Sequence, residues 1–282
     1  EGFNVSSDIF DKRFSLQLNW SDFAILYRTN AQSRIFEETL RRKNIPYKIY
    51  GGLSFYERKE IKDILAYFRM IINPEDEEAL KRSINYPKRG IGDTTIQKIF
   101  ELASAFNVTP WSILPESGKF PEHFNSGTVK KLSMYFDFIN ALRLNSGTTD
   151  AYAKAREIAL GSGIMRELME GKSPGEVSRY ENLEELLNAI KVFTESAETN
   201  GEPSTLEAYM ANVALLTDQD TEKEEDRNKV TLMTMHSAKG LEFKHVYIVG
   251  MEDTLFPSPM SSGSARELEE ERRLFYVGVT RA

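Results

Sequence analysis

The chain contains no cysteine, and its three histidines, His123, His236 and His245, are scattered along it. The missing thiols exclude disulfides and thiolate metal sites, and scattered imidazoles argue against a zinc site. No apolar run approaches the roughly 18 to 20 residues that span a bilayer, and the N-terminus has neither a basic region nor an apolar signal segment. We therefore expect a cytoplasmic protein without a membrane partner.

A phosphate-binding P-loop is also missing. The pattern GxxxxGK[ST] requires a glycine five residues before Gly171, and that position holds Arg166. Gly118 and Lys119 are followed by Phe120 rather than by serine or threonine, so they do not complete the pattern either. A nucleotide would therefore have to be held by something other than a P-loop of this chain.

Positive charge is in the minority, with 36 Lys and Arg against 43 Asp and Glu in 282 residues, a net charge of −7. This excess argues weakly against nucleic acid as a partner, although local basic patches decide binding. At roughly 150 residues per domain, the length favours two domains over one.

Short apolar runs near both ends of the chain predict strands, at residues 23–27, 47–50, 230–235 and 246–249. Residues 35–43 between the first two runs predict a helix, and this βαβ order implies a parallel sheet. Residues 57–72 form the clearest amphipathic helix of the chain, because apolar residues recur there at spacings of three and four. A short helix is also predicted over residues 7–18.

Helix patterns dominate the next 150 or so residues, roughly one domain's worth, and two of them place an apolar face on residues 129–142 and 183–193. The charged run at 218–229 reads as an exposed linker, after which strands return. We therefore predict an α/β domain made of residues 1–75 and 228–282, with an all-helical domain of residues 76–227 inserted into it.

Polar residues follow the strand predicted at 230–235, in the sequence HSAKGLEF. The end of a strand in an open α/β sheet is a common ligand site, so His236, Lys239, Gly240 and Glu242 are candidate binding residues. The alternative is a surface turn with solvated charges.

The sequence KRGIGD at residues 88–93 precedes a helix predicted over 94–106. A glycine–hydrophobic–glycine turn lets backbone N–H groups approach a phosphate, and Lys88 and Arg89 supply positive charge. Helix-hairpin-helix elements bind duplex backbones in this way without reading sequence. The alternative is a tight interhelical turn with two solvated cations.

A helix is predicted over residues 265–279, and its acidic first turns suit the helix dipole. Arg281 follows this helix directly. It is either a frayed terminal charge or an arginine that reaches a phosphate, a task for which the planar and permanently charged guanidinium is well suited.

Together these pieces resemble the C-terminal half of superfamily 1A DNA helicases of the UvrD/PcrA/Rep group. Four stretches carry the resemblance: DFAILYRTNAQSR at 22–34, GGLSFYERKEIKD at 51–63, KRGIGD at 88–93, and TMHSAKGLEF through EEERRLFYVGVTRA at 234–282. The resemblance implies a RecA-like motor lobe of the P-loop NTPase type, called 2A, with a parallel sheet but without the P-loop itself. The inserted helical domain corresponds to 2B.

The resemblance also assigns roles to residues. Arg281 contacts the ATP γ-phosphate as the catalytic arginine, and Glu242 and Gly240 lie at the nucleotide. Contacts to single-stranded DNA fall on Arg28, Asn30, Phe55, Arg58, His236 and Lys239. Contacts to duplex DNA fall on Lys88, Arg89, Gly90, Ile91 and Gly92. No residue is assigned to a metal, because ATP and Mg²⁺ are bound mainly by a first lobe that this sequence lacks.

The expected parent is an ATP-dependent 3′ to 5′ DNA helicase of repair or replication, acting on single strands and on junctions with duplex, with repair proteins as further partners. Because the first lobe and the family's motif IV are missing, we expect a truncated fragment that is inactive alone. The alternatives are a DNA-binding or partner-docking module without motor activity, and a RecB/AddA-like helicase–nuclease subunit, although no nuclease signature is present.

Overall fold

A computed structural model describes residues 18–144, 146–217, 228–253, 255–257 and 264–282. The helix predicted over 7–18 and the charged linker at 218–229 lie almost wholly outside these ranges. In the described part of the chain, no helix combines the length and the apolar character that crossing a membrane requires.

Four parallel strands form one sheet in the order β2-β3-β1-β4. They are β1, Phe23–Tyr27; β2, Tyr47–Ile49; β3, Val230–Thr234; and β4, His245–Ile248. Each begins and ends within one residue of its predicted position. The predicted α/β class with a parallel sheet is therefore confirmed.

Strand β3 lies between the two strands from the N-terminal part of the chain. Ala24 of β1 pairs with Thr231, and Tyr47 of β2 pairs with Val230. The first four residues of β3 are buried, as expected for an inner parallel strand whose two faces are both covered. The sequence predicted β1 and β2 as one βαβ unit, and the structure adds that a strand about 200 residues further along separates them.

Helix α1, Ser33–Arg42, connects β1 to β2, and α11, Ala265–Val279, follows β4. The helices between β2 and β3 are α2, Lys59–Ile72; α3, Glu77–Ser83; α4, Asp93–Phe106; α5, Pro110–Glu116; α6, Ser126–Arg143; α7, Ala151–Gly161; α8, Ile164–Met169; α9, Pro174–Asn200; and α10, Leu206–Thr217. Side-chain caps fix several starts: Asp76, Asn125, Asp150 and Ser173 each accept a hydrogen bond from the first helical turn.

The described residues form two compact units. One contains the sheet and comprises residues up to Arg28, Phe36–Gly52 and residues from 228 onwards; the other comprises Thr29–Ile35 and residues from Leu53 to Thr217. Residues 53–75, which the sequence groups with the sheet, pack in the helical unit, because the buried face of α2 belongs to the helical core.

The sheet unit has a core of its own, to which β1, β3 and α11 contribute Leu26, Met233 and Leu274. Fully burying a side chain of this size contributes about 1.5–3 kcal/mol, whereas an exposed ion pair such as Arg273 with Glu270 contributes about 0–1 kcal/mol. The apolar stripe of α11 therefore determines how this helix packs. Gly278 lies on the same stripe, where a Cβ atom would come within 3.0 Å of Ile248 Cδ1.

We predict that Gly278→Val lowers the stability of the sheet unit by about 1–3 kcal/mol, because the added carbons overpack the contact with Ile248. Urea unfolding monitored by circular dichroism measures the loss. Gly175→Ala in α9 is the matched control, since a Cβ there meets no atom within 4 Å, and it should leave stability unchanged or raise it. Equal stability of Gly278→Val and the unmodified chain would contradict the prediction.

Candidate functional site

The carboxyl ends of β1 and β3 bring two predicted residues to one edge of the sheet. Tyr27 pairs with Thr234, so Arg28 and His236 follow neighbouring strands. Arg28 makes a two-oxygen ion pair with Glu271 of α11: its Nε donates to both carboxylate oxygens at 3.1 and 3.0 Å, and its Nη2 donates to Oε1 at 2.7 Å. Glu271 is only 5% exposed, so the pair joins β1 to α11 in a largely buried setting.

Partial desolvation of the imidazole, followed by the nearby Arg28 guanidinium, lowers the pKa of His236 below its ordinary value. The Glu271 carboxylate acts on this pKa in the opposite direction. Since the ordinary pKa of histidine is about 6.5, His236 is mainly neutral at pH 7. It offers a partner for hydrogen bonding and stacking rather than a fixed positive charge.

The segment 235–244 carries the chain from the carboxyl end of β3 to the amino end of β4. It begins with a tight turn, in which Ser237 N donates to Thr234 Oγ1 at 3.2 Å. Gly240 has a φ of +87°, a conformation that favours glycine. Lys239, Gly240 and Glu242 are all exposed, so the predicted binding residues of this segment reach the surface.

Arg281 is held at the far end of this segment. Its Nη1 donates to Leu241 O at 3.2 Å, and Phe243 N donates to Arg281 O at 2.9 Å. Its Nε donates to Val277 O and its Nη2 to Thr280 Oγ1, both at 2.9 Å. These acceptors are all uncharged, so they fix the guanidinium without cancelling its charge, and the half-buried side chain stays suited to binding an anion.

Three residues predicted to contact single-stranded DNA come together in the helical unit. Arg58 Nη1 donates to Asn30 O at 2.9 Å, and its guanidinium lies 5.2 Å from the centroid of the Phe55 ring. Arg58 also donates to Asn182 Oδ1 and Ser33 Oγ. Phe55 is 0% exposed and Arg58 is 8% exposed, whereas Asn30 is at the surface. In this structure Phe55 and Arg58 support the Asn30 turn from behind.

The turn at residues 88–93 is held by a side chain outside it. Asn85 Oδ1 accepts hydrogen bonds from Arg89 N and Ile91 N, both at 3.0 Å. Gly90 has a φ of +71° and is exposed, and Ile91 between the two glycines is fully buried. Lys131 of α6 donates to Gly90 O at 3.0 Å, which adds a cation that the local sequence does not reveal.

Lys88 and Arg89 have different environments. Lys88 is exposed, as is Gly92, which immediately precedes α4. The guanidinium of Arg89 instead donates to three backbone carbonyls at 3.1 to 3.2 Å, those of Ser83, Pro87 and Ser162. Its central carbon lies within 6 Å of three ring centroids, those of Tyr67, Tyr135 and Phe138. Lys88 is therefore placed to meet a ligand, and Arg89 anchors the turn.

The phenols beside Arg89 are neutral donors at ordinary pH. Burial raises the pKa of Tyr67 to about 12, and burial also raises the pKa of Tyr135. The Tyr67 hydroxyl donates to Ser83 O at 2.9 Å, and the Tyr135 hydroxyl shares a 2.6 Å hydrogen bond with Ser83 Oγ. Uncharged groups thus surround Arg89 on this side, which fixes its orientation.

Sequence reasoning missed Glu271, Asn85 and Lys131. The first carried a usable signal, because Glu271 shares the helical spacing of Leu274 and Gly278 and therefore lies on the buried face of α11. Lys131 gave none, since it is 41 residues from the glycine that it contacts.

Comparison with known proteins gives consistent matches. The family model of the UvrD-like helicase C-terminal domain matches residues 4–282. The ATP-dependent DNA helicase PcrA of Leuconostoc citreum is 38% identical over 281 residues, which are 99% of this chain and 37% of that protein. DNA helicase II of Salmonella typhimurium is 41% identical over 262 residues, 92% of this chain and 36% of that protein. The PcrA of Bacillus subtilis is 38% identical over 291 residues, with coverages of 100% and 38%. The chain thus spans little more than a third of the length of these relatives.

We predict that Arg89→Ala lowers the free energy of unfolding of the helical unit by about 1–3 kcal/mol, because three carbonyls lose a charged donor. Lys88→Ala is the matched control and should change this free energy by less than about 0.5 kcal/mol. Thermal or urea unfolding of the two variants checks the difference. If both variants are equally stable, Arg89 does not anchor the turn.

Proposed function

Because this chain belongs to the UvrD-like helicase C-terminal domain family, we propose that it is part of an ATP-dependent DNA helicase that moves 3′ to 5′ along single-stranded DNA. In this proposal residues 1–75 and 228–282 make up the second RecA-like lobe, 2A, and residues 76–227 make up the inserted domain, 2B, although residues 53–75 pack in the helical unit. The substrates are single strands and their junctions with duplex in DNA repair or replication, and repair proteins are further partners.

The observation that supports this proposal best is that one segment runs between the residues proposed to bind single-stranded DNA and the arginine proposed to act on the nucleotide. His236 stands at the beginning of the segment 236–243, beside Arg28 at the carboxyl edge of the sheet. At its other end, Leu241 and Phe243 hydrogen-bond to Arg281. A motor has to relate a bound strand to a bound nucleotide, and this segment spans the distance between the residues proposed for each.

Arg281 is the residue proposed to act on the nucleotide. Its guanidinium keeps its charge and is held by uncharged acceptors, which suits the negative charge that builds up on the γ-phosphate during transfer. Glu242 and Gly240 lie beside the nucleotide sugar. The proposal assigns Mg²⁺ mainly to the first lobe of the longer protein, as it does ATP.

For single-stranded DNA the proposed contacts are Arg28, His236 and Lys239 in the sheet unit and Asn30 in the helical unit. Phe55 and Arg58 contribute by holding the Asn30 turn rather than by meeting the strand directly. For duplex DNA the proposed contacts are Lys88 and the backbone of Gly90–Gly92, with Ile91 anchoring the turn from inside.

A DNA-binding or docking module without motor activity is the second candidate. The observation in its favour is that the helical unit has a separate hydrophobic core and presents the preformed Gly90 turn. Such a module would bind duplex DNA through Lys88 and would have no use for Arg281.

We predict that Arg281→Ala lowers the DNA-stimulated ATPase rate of the longer protein, which carries a P-loop lobe ahead of this chain, by about a thousandfold. Affinity for single-stranded DNA, measured by fluorescence anisotropy, should stay unchanged. The chain by itself should not turn over ATP with or without DNA. ATP turnover by the chain alone, or a longer protein that keeps its ATPase without Arg281, would refute the motor assignment.

For the duplex contact we predict that Lys88→Ala weakens duplex binding and flattens its salt dependence by about 0.9 in the slope of log K against log salt, the loss of one phosphate contact. Lys191→Ala removes the same charge from an exposed position on α9 and is the control. A slope that Lys88→Ala does not change would remove Lys88 from the interface.

A further inference from the structure

Glu271 carries a buried carboxylate that has no role in the mechanism proposed above. Both of its oxygens accept from Arg28, and its charge is felt by His236. A buried carboxylate that loses its arginine is strongly disfavoured, so any displacement of Arg28 is followed by Glu271 and by the helix that carries it. The partner of Glu271 is thus a residue proposed to meet the strand.

Helix α11 and the residue that follows it act on the segment 236–243 at both of its ends, electrostatically at His236 and through hydrogen bonds at Leu241 and Phe243. At the carboxyl edge of the sheet, Glu271 reaches Arg28 beside His236. At the other end of the helix, Arg281 bonds to Leu241 and Phe243. Helix α11 is continuous from Glu271 to Val279, eight residue steps that span about 12 Å at about 1.5 Å per residue. Arg281 lies two residues beyond its end and is tied back to the helix by the hydrogen bond from its Nε to Val277 O.

Helix α11 is also closely packed against the rest of the sheet unit between Glu271 and its end. Leu274 belongs to the core of the sheet unit, and Gly278 is so close to the sheet that a Cβ atom there would lie 3.0 Å from Ile248 Cδ1 and 3.5 Å from Met235 Sδ. A packed helix of this kind moves as a rigid body rather than bending to absorb a displacement. A shift at Glu271 therefore reaches Arg281.

From this geometry we propose that Glu271 is a positioning residue for Arg281. Through its ion pair with Arg28, Glu271 transmits the binding of single-stranded DNA at the carboxyl edge of the sheet to Arg281 beyond the end of α11. The proposal rests on the proposed function. A phosphate of the bound strand attracts the Arg28 guanidinium and displaces it. The ion pair passes this displacement to Glu271, and α11 passes it on to Arg281. Glu271 itself touches neither DNA nor ATP.

The test uses Glu271→Gln in the longer protein with its P-loop lobe. The amide keeps the size of the side chain and removes the charge that holds Arg28. We expect the DNA-stimulated kcat to fall about tenfold, within the range typical of coupling between two sites. The KM for ATP, the ATPase rate without DNA, and the affinity for single-stranded DNA should change by less than about twofold, since the proposal is that coupling rather than binding is lost.

Two other variants complete the test. Glu270→Gln removes the same charge from an exposed position on the same helix and should leave every value unchanged. Arg28→Lys keeps a cation for the strand but breaks the two-oxygen pair from the other side, so its kcat at saturating single-stranded DNA should fall in the same way. This variant provides the readout if Glu271→Gln does not fold.

An unchanged DNA-stimulated kcat would overturn the proposal. A change of about 0.7 in the slope of log K against log salt for binding of single-stranded DNA by Glu271→Gln would also overturn it. Such a change would show that Glu271 controls a phosphate contact and does not position Arg281. The Arg281→Ala variant separates the two levels: if it keeps its ATPase, the proposed function fails, whereas if it loses its ATPase while Glu271→Gln does not, only the role of Glu271 fails.

Discussion

The pairing of β3 between β2 and β1 is the constraint on which the sheet unit depends. It brings segments about 200 residues apart into a fixed register, Ala24 with Thr231 and Tyr47 with Val230. Because the strands are parallel, their carboxyl ends meet at one edge, and Arg28 and His236 become neighbours only as a result. A change of register by one residue would turn every side chain of β3 to the opposite face.

The positively charged side chains proposed as contacts fall into two groups: some stabilise the fold, and others remain available to a ligand. Arg58 and Arg89 are enclosed by carbonyl, amide and aromatic groups, and they stabilise turns. Lys88 and Lys239 reach the surface, and the acceptors that hold Arg281 among the described residues are neutral. The net negative charge of the chain is compatible with this arrangement, because nucleic-acid binding depends on the positions of a few cations rather than on the net charge.

The strands and the long helices were predictable because burial leaves a local pattern: the run FAILY gives β1, and α11 ends where its apolar spacing ends. The same spacing would have placed Glu271 inside. Partners were not predictable, because Arg28 and Glu271 are 243 positions apart, and Arg58 and Asn182 are 124 apart. Composition shows that these arginines are charged, but only the folded chain shows which of them are enclosed.

The two edge strands of the sheet, β2 and β4, differ in how much unpaired edge they present. Strand β2 is only three residues long, which blunts it as an edge. Strand β4 pairs on one side with β1, and in the described part of the chain no strand covers its other side, where Tyr247 is about half exposed. A row of backbone donors and acceptors along β4 is thus a template for a fifth strand. A second copy of the chain is one source of such a strand, so this edge is where pairing between copies can begin.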